Sequence, residues 1–243
     1  RRTRRPAFPR RWQPHRVEIK RGQAGADGLQ TPSLPGALVR IITGHLRGRS
    51  LPISHKRHGD IRVTSSRLKE AVFARLGPLD GTHWLDLCAG SGQIGLEAFS
   101  RGAQVVCAEP DQRRAASLKS LLGEWRIRDG FDLRARKAEL VIKELTQQKQ
   151  SFDYIYIDPP YHARRSKMPL CAAILEDVAN SDILTAEGLV LVQHDRHQEL
   201  PTSCPPLSRL HERVYGDSVL SVFARGGEHS HHDLMVDPPE ATV

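Results

Sequence analysis

The segment YIYIDPPY places Asp158, Pro159, Pro160 and Tyr161 directly after a short run of aromatic and β-branched residues. Such a run reads as a buried strand, so the four residues stand at its carboxyl end, where open α/β sheets receive substrate. Adjacent prolines stiffen a loop and donate no backbone hydrogen bond, which leaves their carbonyls as acceptors. This combination suits methylation of an exocyclic amine. The lone pair of such an amine is delocalised into its ring. Asp158 and the Pro159 carbonyl can each accept one N–H, drawing the nitrogen toward a tetrahedral, nucleophilic geometry. Tyr161 offers a face on which an extruded base stacks, and Asp158 can take the surplus proton. The structural alternative is a proline-rich turn with Tyr161 as a half-buried loop aromatic.

Further upstream, WLDLCAGSGQIGLEAFSRGA has a strand running into a glycine loop that opens a helix, with Gly102 as that helix's stop. Gly90, Gly92 and Gly95 form G-x-G-x-x-G, and with Cys88, Ala89 and Ser91 they make a candidate cofactor loop. Glycines let backbone approach a ligand, and the helix N-terminus favours an anionic group. Glu109, 17 residues after Gly92, ends the second strand, where its carboxylate can accept both ribose hydroxyls of a nucleoside; Pro110 follows it. Asp86 adds discrimination, because it precedes the first glycine by four residues. A carboxylate there suits a cationic ammonium, which S-adenosylmethionine has and NAD lacks. Lys137 and Ala138, after the third strand, fall beside the adenine by topology. Without a ligand, the same residues would be a structural turn with incidental acids.

The elements that must position these residues alternate in type. Apolar runs at 84–88, 104–108, 131–135, 154–157 and 189–192 read as strands, separated by stretches of helical period such as Ala115, Leu118, Leu121, Leu122 and Trp125. Five such alternations predict an α/β fold with a mostly parallel, Rossmann-like sheet covered on both faces. LSRLHERVY, GDS and VLSVFAR then predict a C-terminal antiparallel hairpin.

Charge is unevenly distributed. The formal net charge is +8, yet residues 1–21 carry nine basic side chains against one acid, residues 40–75 nine against two, and residues 76–243 eighteen against 24. The catalytic part is therefore mildly acidic, and polyanion binding falls to what precedes it. Residues 1–36, rich in arginine and proline and without period, read as a disordered basic tail, and an arginine-rich leader is also compatible with a targeting remnant. RIITGHLRGRSLPI suggests a small curved hairpin around Gly44 and Gly48, with His45, Arg47 and Arg49 facing solvent. In RVTSSRLKEAVFARL, Thr64 or Ser65 caps a helix whose Leu68, Val72 and Leu76 pack inward while Arg67, Lys69 and Arg75 lie elsewhere. Arg40, Arg62, Arg67 and Thr64 complete a surface suited to phosphate contacts. Cys88, Cys107, Cys171 and Cys204 lack metal-ligand or disulfide spacing. No apolar run approaches the roughly 20 residues of a membrane span, so a soluble, cytoplasmic, metal-free monomer is expected.

On the motifs RIITGHLRGRSL, RVTSSRLKEAVF, LDLCAGSGQIGLEAFSRGA, Glu109-Pro110-Asp111, DPPY and RVYGDSVL, the chain from about Arg40 to Arg225 resembles the bacterial guanine-N2 methyltransferases of small-subunit (16S) rRNA. The resemblance implies a Rossmann-like methyltransferase sheet with a small N-terminal β-hairpin extension, S-adenosylmethionine as donor, and a guanine of small-subunit rRNA, in the assembled or assembling subunit, as substrate. With the tails read from composition, the chain divides into a tail (1–36), an RNA-binding extension (37–80), a methyltransferase domain (81–225) and a flexible C-terminal tail (226–243). The family's usual R-P-T-x-D-R-x-R-E stands here as RVTSSRLKE at 62–70, and Lys137 replaces an Asp or Asn. A DNA adenine-N6 or cytosine-N4 methyltransferase can use the same DPPY chemistry. Against that alternative, only about 27 residues separate Tyr161 from the fifth strand, too few for a large target-recognition insertion. A non-catalytic RNA-binding assembly protein is the alternative of another class, which intact Asp86, Gly90, Glu109 and DPPY oppose. A dehydrogenase is disfavoured by the position of Asp86.

Overall fold

The computed structural model describes residues 38–53, 64–74, 76 and 78–226. The two tails, Arg62 and Arg75 lie outside the described residues, apart from Gly226 at the start of the C-terminal tail. The chain opens with β1 (Leu38–Arg40) and β2 (Ser50–Pro52), followed by α1 (Ser66–Ala74), β3 (His83–Asp86), α2 (Gln93–Ser100), β4 (Gln104–Ala108), α3 (Gln112–Glu124) and β5 (Phe131–Arg134). Then come α4 (Ala138–Gln147), β6 (Phe152–Ile157), the two-residue strands β7 (Arg164–Arg165) and β8 (Met168–Pro169), and α5 (Leu170–Ala179). β9 (Leu184–Asp195), β10 (Ser203–Cys204), β11 (Leu207–Tyr215) and β12 (Ser218–Arg225) complete it.

Eight strands form one sheet in the order β10-β11-β12-β9-β6-β3-β4-β5. β3, β4, β5, β6 and β9 are parallel, and β12 inserts antiparallel between β9 and β11. The chain leaves β3 toward β5 and returns to β6 on the other side of β3. That reversal is the topological switch point, where side chains at the strand ends face a crevice. β3 and β6 are neighbours with Asp86 opposite Tyr156, which brings the glycine loop and DPPY to one edge.

Strand alternation explains why both faces are covered. Leu85, Ile155, Val190 and Val192 pack with Val141, Leu145 and Ile174 on one side, whereas Trp84, Tyr156, Leu189 and Leu191 pack with Leu68, Val72, Phe73 and Ile94 on the other. α1 is thus part of the sheet's cover. The hairpin of β1 and β2 buries Val39, Ile41, Leu46 and Leu51 against Leu96 of α2 and Leu118, Leu121 and Leu122 of α3.

One buried carboxylate joins these pieces. Glu97 of α2 is fully buried and accepts the amides of Ile42 (2.8 Å) and Thr43 (3.0 Å) and the Arg101 Nε (3.2 Å). Lys69 Nζ stands 3.6 Å from Glu97 Oε2 and donates to the Arg40 carbonyl at 2.6 Å. Lys69 is therefore a correction to the sequence reading: it points inward and is 1% exposed. Burial pushes its ammonium down from the usual lysine range, and the Glu97 charge opposes that shift. One turn on, Ser100 accepts the His45 amide through its carbonyl and the Leu46 amide through its hydroxyl. Gly44 (φ +86°) lies so close that a Cβ would stand 1.8 Å from the Ser100 carbonyl oxygen, so only glycine fits there.

Removing one partner of a buried ion pair strands the other charge, at a cost of about 3–5 kcal/mol. Glu97→Ala is expected to lose that much stability in urea unfolding, and a loss below about 1 kcal/mol, the range of an exposed pair, would contradict the assigned role.

Candidate active site

A cavity of about 530 Å³ opens at the carboxyl edge of β3, β4, β5 and β6. The glycine loop walls one end and DPPY the other, and Asp86, Glu109 and Asp158 all line it. With Glu139 they make four carboxylates lining one cavity, which repel each other; Arg114, 3.7 Å from Glu109, offsets part of that repulsion.

Asp86 shows the consequence. It is 1% exposed, and burial pushes its carboxyl up to about 7. The charges of Asp158 and Glu109 push in the same direction, while a hydrogen bond from the Cys88 amide (3.2 Å) opposes them. Such a group gains from a bound cation. Glu109, also buried, is raised mainly by desolvation. One of its oxygens accepts the Gly90 amide and the other the Asp111 amide, both at 2.8 Å. It thereby clamps the glycine loop to the end of β4, a bond that the sequence reading did not foresee when it gave both oxygens to a ribose. A carboxylate oxygen accepts more than one bond, so the clamp is compatible with that contact. Asp111 caps α3 through the amides of Arg113 and Arg114, both 3.0 Å.

The glycines divide their work. Gly90 lines the cavity, whereas Gly92 and Gly95 do not. A Cβ on Gly92 (φ +82°) would meet Leu118 Cδ1 at 2.6 Å, and one on Gly95 would meet Cys107 Sγ at 2.5 Å. Those two let α2 sit close to α3 and β4. Cys88, Ala89, Ser91, Pro110, Lys137 and Ala138 all line the cavity. The buried Ser91 Oγ and Gln93 Oε1 find no hydrogen-bond partner among the described residues. Orphaned polar atoms in a cavity wall invite a polar ligand.

At the other end, Asp158 is half-buried and Tyr161 partly exposed. The Pro160 carbonyl accepts the Ala163 amide at 2.8 Å, so of the two prolyl carbonyls that of Pro160 is turned into the loop's own turn. Gln193 donates to the Tyr161 hydroxyl at 3.5 Å and accepts from the Tyr156 hydroxyl at 2.6 Å, and the Gln198 amide holds the Tyr161 carbonyl. Sequence reasoning missed both glutamines, whose only signal is a polar residue inside or just beyond an apolar strand. It also missed the β7–β8 turn. There Arg164 and Lys167 are exposed, Arg164 borders the cavity, and Arg165 is forked onto Asp177 of α5.

The candidate RNA-binding residues separate. Arg40, His45, Arg47, Arg49 and Arg67 are exposed. His45 nevertheless packs edge-on against Phe99 at 5.0 Å, and the Arg49 guanidinium lies 5.3 Å from the Trp125 ring centre. Ser65, not Thr64, caps α1, accepting the Leu68 amide at 3.2 Å. Thr64 is 4% exposed, lines the cavity and donates to Asp158 Oδ2 at 3.3 Å.

Residues 39–224 match the family model described as conserved hypothetical protein 95. The chain is 31% identical over 193 residues to an Escherichia coli protein named ribosomal RNA small subunit methyltransferase D, covering 77% of this chain and 90% of that one. A Haemophilus influenzae protein of the same name is 31% identical, covering 72% and 87%. Among solved structures, a hypothetical protein of Thermus thermophilus superposes with a TM-score of 0.64 at 28% identity, over 77% of this chain and 99% of that one.

Gly92→Ala meets both a left-handed backbone and the Leu118 side chain, which together cost about 1–3 kcal/mol. Denaturant unfolding is expected to show that loss, while Gly123→Ala, where a Cβ meets nothing within 4 Å, is expected to show none.

Proposed function

The chain belongs to the conserved hypothetical protein 95 family, and from that membership and the site's geometry we propose that it transfers a methyl group from S-adenosylmethionine to the exocyclic N2 amine of a guanine in small-subunit rRNA. The observation that carries the reading is the single cavity with Asp86 and the Glu109-clamped loop at one end and Asp158-Pro159-Pro160-Tyr161 at the other. The curated relatives named small-subunit rRNA methyltransferases support the rRNA substrate.

The residues present fit the donor. The carboxylates of Asp86, Glu109 and Asp158 suit a molecule with ammonium and sulfonium charges, and the orphaned Ser91 Oγ and Gln93 Oε1 suit its polar groups. Asp86 would hold the ammonium, Glu109 the ribose hydroxyls, and Pro110, Lys137 and Ala138 the adenine side. When bound, S-adenosylmethionine supplies an electrophilic methyl carbon.

The chain's own residues prepare the nucleophile. Asp158 and the Pro159 carbonyl accept the two N–H groups of the guanine amine, which localises the nitrogen lone pair. Tyr161, braced by Gln193 and Gln198, stacks on the base and fixes the direction of attack. Asp158 then holds the proton released from the nitrogen. The exposed Arg40, Arg47 and Arg67, with Arg164 at the cavity's own rim and the exposed Lys167 on the same turn, meet phosphates and position the RNA without reading its sequence.

Asp158→Ala is expected to abolish methyl transfer to small-subunit rRNA while donor affinity by calorimetry stays within a few-fold; undiminished transfer would refute the mechanism. Asp86 supplies a pH test. Its carboxyl, raised to about 7, is protonated at pH 6, and holding a cation requires the ionised form. Donor affinity should therefore rise severalfold between pH 6 and about 7.5, with proton release on binding. Asp86→Asn should bind weakly with a flat profile. A flat profile in the unsubstituted protein would remove Asp86 from the donor site. The same raised carboxyl makes the ionised form a cost to folding, so its contribution to stability falls as pH rises from about 4 through about 7.

A further inference from the structure

We infer that Thr64 is a positioning residue for Asp158, so that the segment before the methyltransferase sheet completes the active site as well as gripping RNA. The inference rests on the amine-methylation reading above. Its observation is the Thr64 hydroxyl, almost wholly buried, donating to Asp158 Oδ2 at 3.3 Å across the cavity from the glycine loop.

That hydroxyl is held from several directions. Ser65, the next residue, caps α1 through the Leu68 amide, and its carbonyl takes the Lys69 amide at 3.0 Å, so the backbone at Thr64 is fixed by the first turn of the helix. The helix is fixed in turn. Leu68, Val72 and Phe73 are buried on the sheet, with Phe73 stacked on Trp84 at 5.2 Å, and Lys69 is tied to Glu97 and the Arg40 carbonyl. A threonine whose only task was to start the helix would not need its hydroxyl, because Ser65 already does that work.

The chemistry asks for a donor of this kind. Asp158 stands near Asp86 and Cys88 on the β3 side and near Cys171 of α5, where the Arg164 charge is also felt. It must be ionised to accept the amine N–H. A positive side chain would neutralise it and compete with the substrate. A hydroxyl stabilises the carboxylate and fixes its plane while leaving it a net acceptor.

Thr64→Val keeps the shape and removes the donor; Thr64→Ser keeps the donor. A hydrogen bond to a charged group is worth about 10- to 100-fold in an equilibrium or rate. Thr64→Val should lower kcat for rRNA methylation by about 10-fold or more, with KM for rRNA and donor affinity within about twofold. Its acid limb should move to higher pH, and Thr64→Ser should recover most of the rate. The Asp158 carboxyl, followed by 13C NMR in the protein without RNA, should titrate at higher pH in Thr64→Val than in the unsubstituted protein. An unchanged rate and titration in Thr64→Val would overturn the inference. So would equal losses in the Val and Ser variants with no shift of the acid limb, the mark of a packing role. If the unsubstituted protein methylates no rRNA, the parent reading fails instead, and the carboxyl titration still decides whether Thr64 acts on Asp158.

Discussion

A charge buried without solvent must be paired, and Glu97 imposes that constraint on everything upstream of the sheet. Its carboxylate gathers the hairpin amides of Ile42 and Thr43, the ammonium of Lys69 and the guanidinium of Arg101. Because Glu97 sits on α2, the helix that the glycine loop opens, the hairpin and α1 are registered against the cofactor loop itself. Thr64 stands at the far end of the same chain of contacts, beside Asp158. A segment that composition alone marks as a basic RNA grip is thus tied both to the donor end and to the acceptor end of the cavity.

The cavity uses one residue type for three purposes, and neighbours decide which. Asp86 is 1% exposed and its carboxyl is pushed up to about 7, which suits it to a cation. Glu109 commits hydrogen bonds to Gly90 and Asp111 and so sets the shape of the loop. Asp158 is half-buried in the cavity lining with Tyr161, the proposed place for an incoming base. The +8 formal charge does not describe this cavity, where Asp86, Glu109, Glu139 and Asp158 share the lining with Arg114, Lys137, Arg164 and Arg165. Arg47, Arg67 and Lys167 are exposed on the surface.

Much of this was legible in the sequence because it rests on local pattern. The parallel strands announce themselves as short apolar runs, the β11–β12 hairpin turns on Gly216-Asp217 as its spacing suggests, and the glycine loop and DPPY arrive at one edge because α/β topology puts strand ends there. What was not legible depends on partners distant in the chain. Lys69 follows Leu68 on a helix and reads as solvent-facing, since its partner Glu97 lies 28 residues away. Thr64 and Ser65 have equal capping chemistry, and only the tertiary position of Asp158 separates them. Gly92 and Gly95 look like ligand contacts in the motif, but Leu118 and Cys107 are what demand them.

In the proposed function one cavity brings a cationic methyl donor to an RNA amine held by Asp158. The most direct measurement incubates the protein with methyl-labelled S-adenosylmethionine and, separately, small subunits, large subunits, naked rRNA and DNA, and maps any labelled base by nuclease digestion and mass spectrometry. A single N2-methylguanine in small-subunit rRNA is expected. Label on DNA, on an adenine or cytosine, or on no nucleic acid would contradict it.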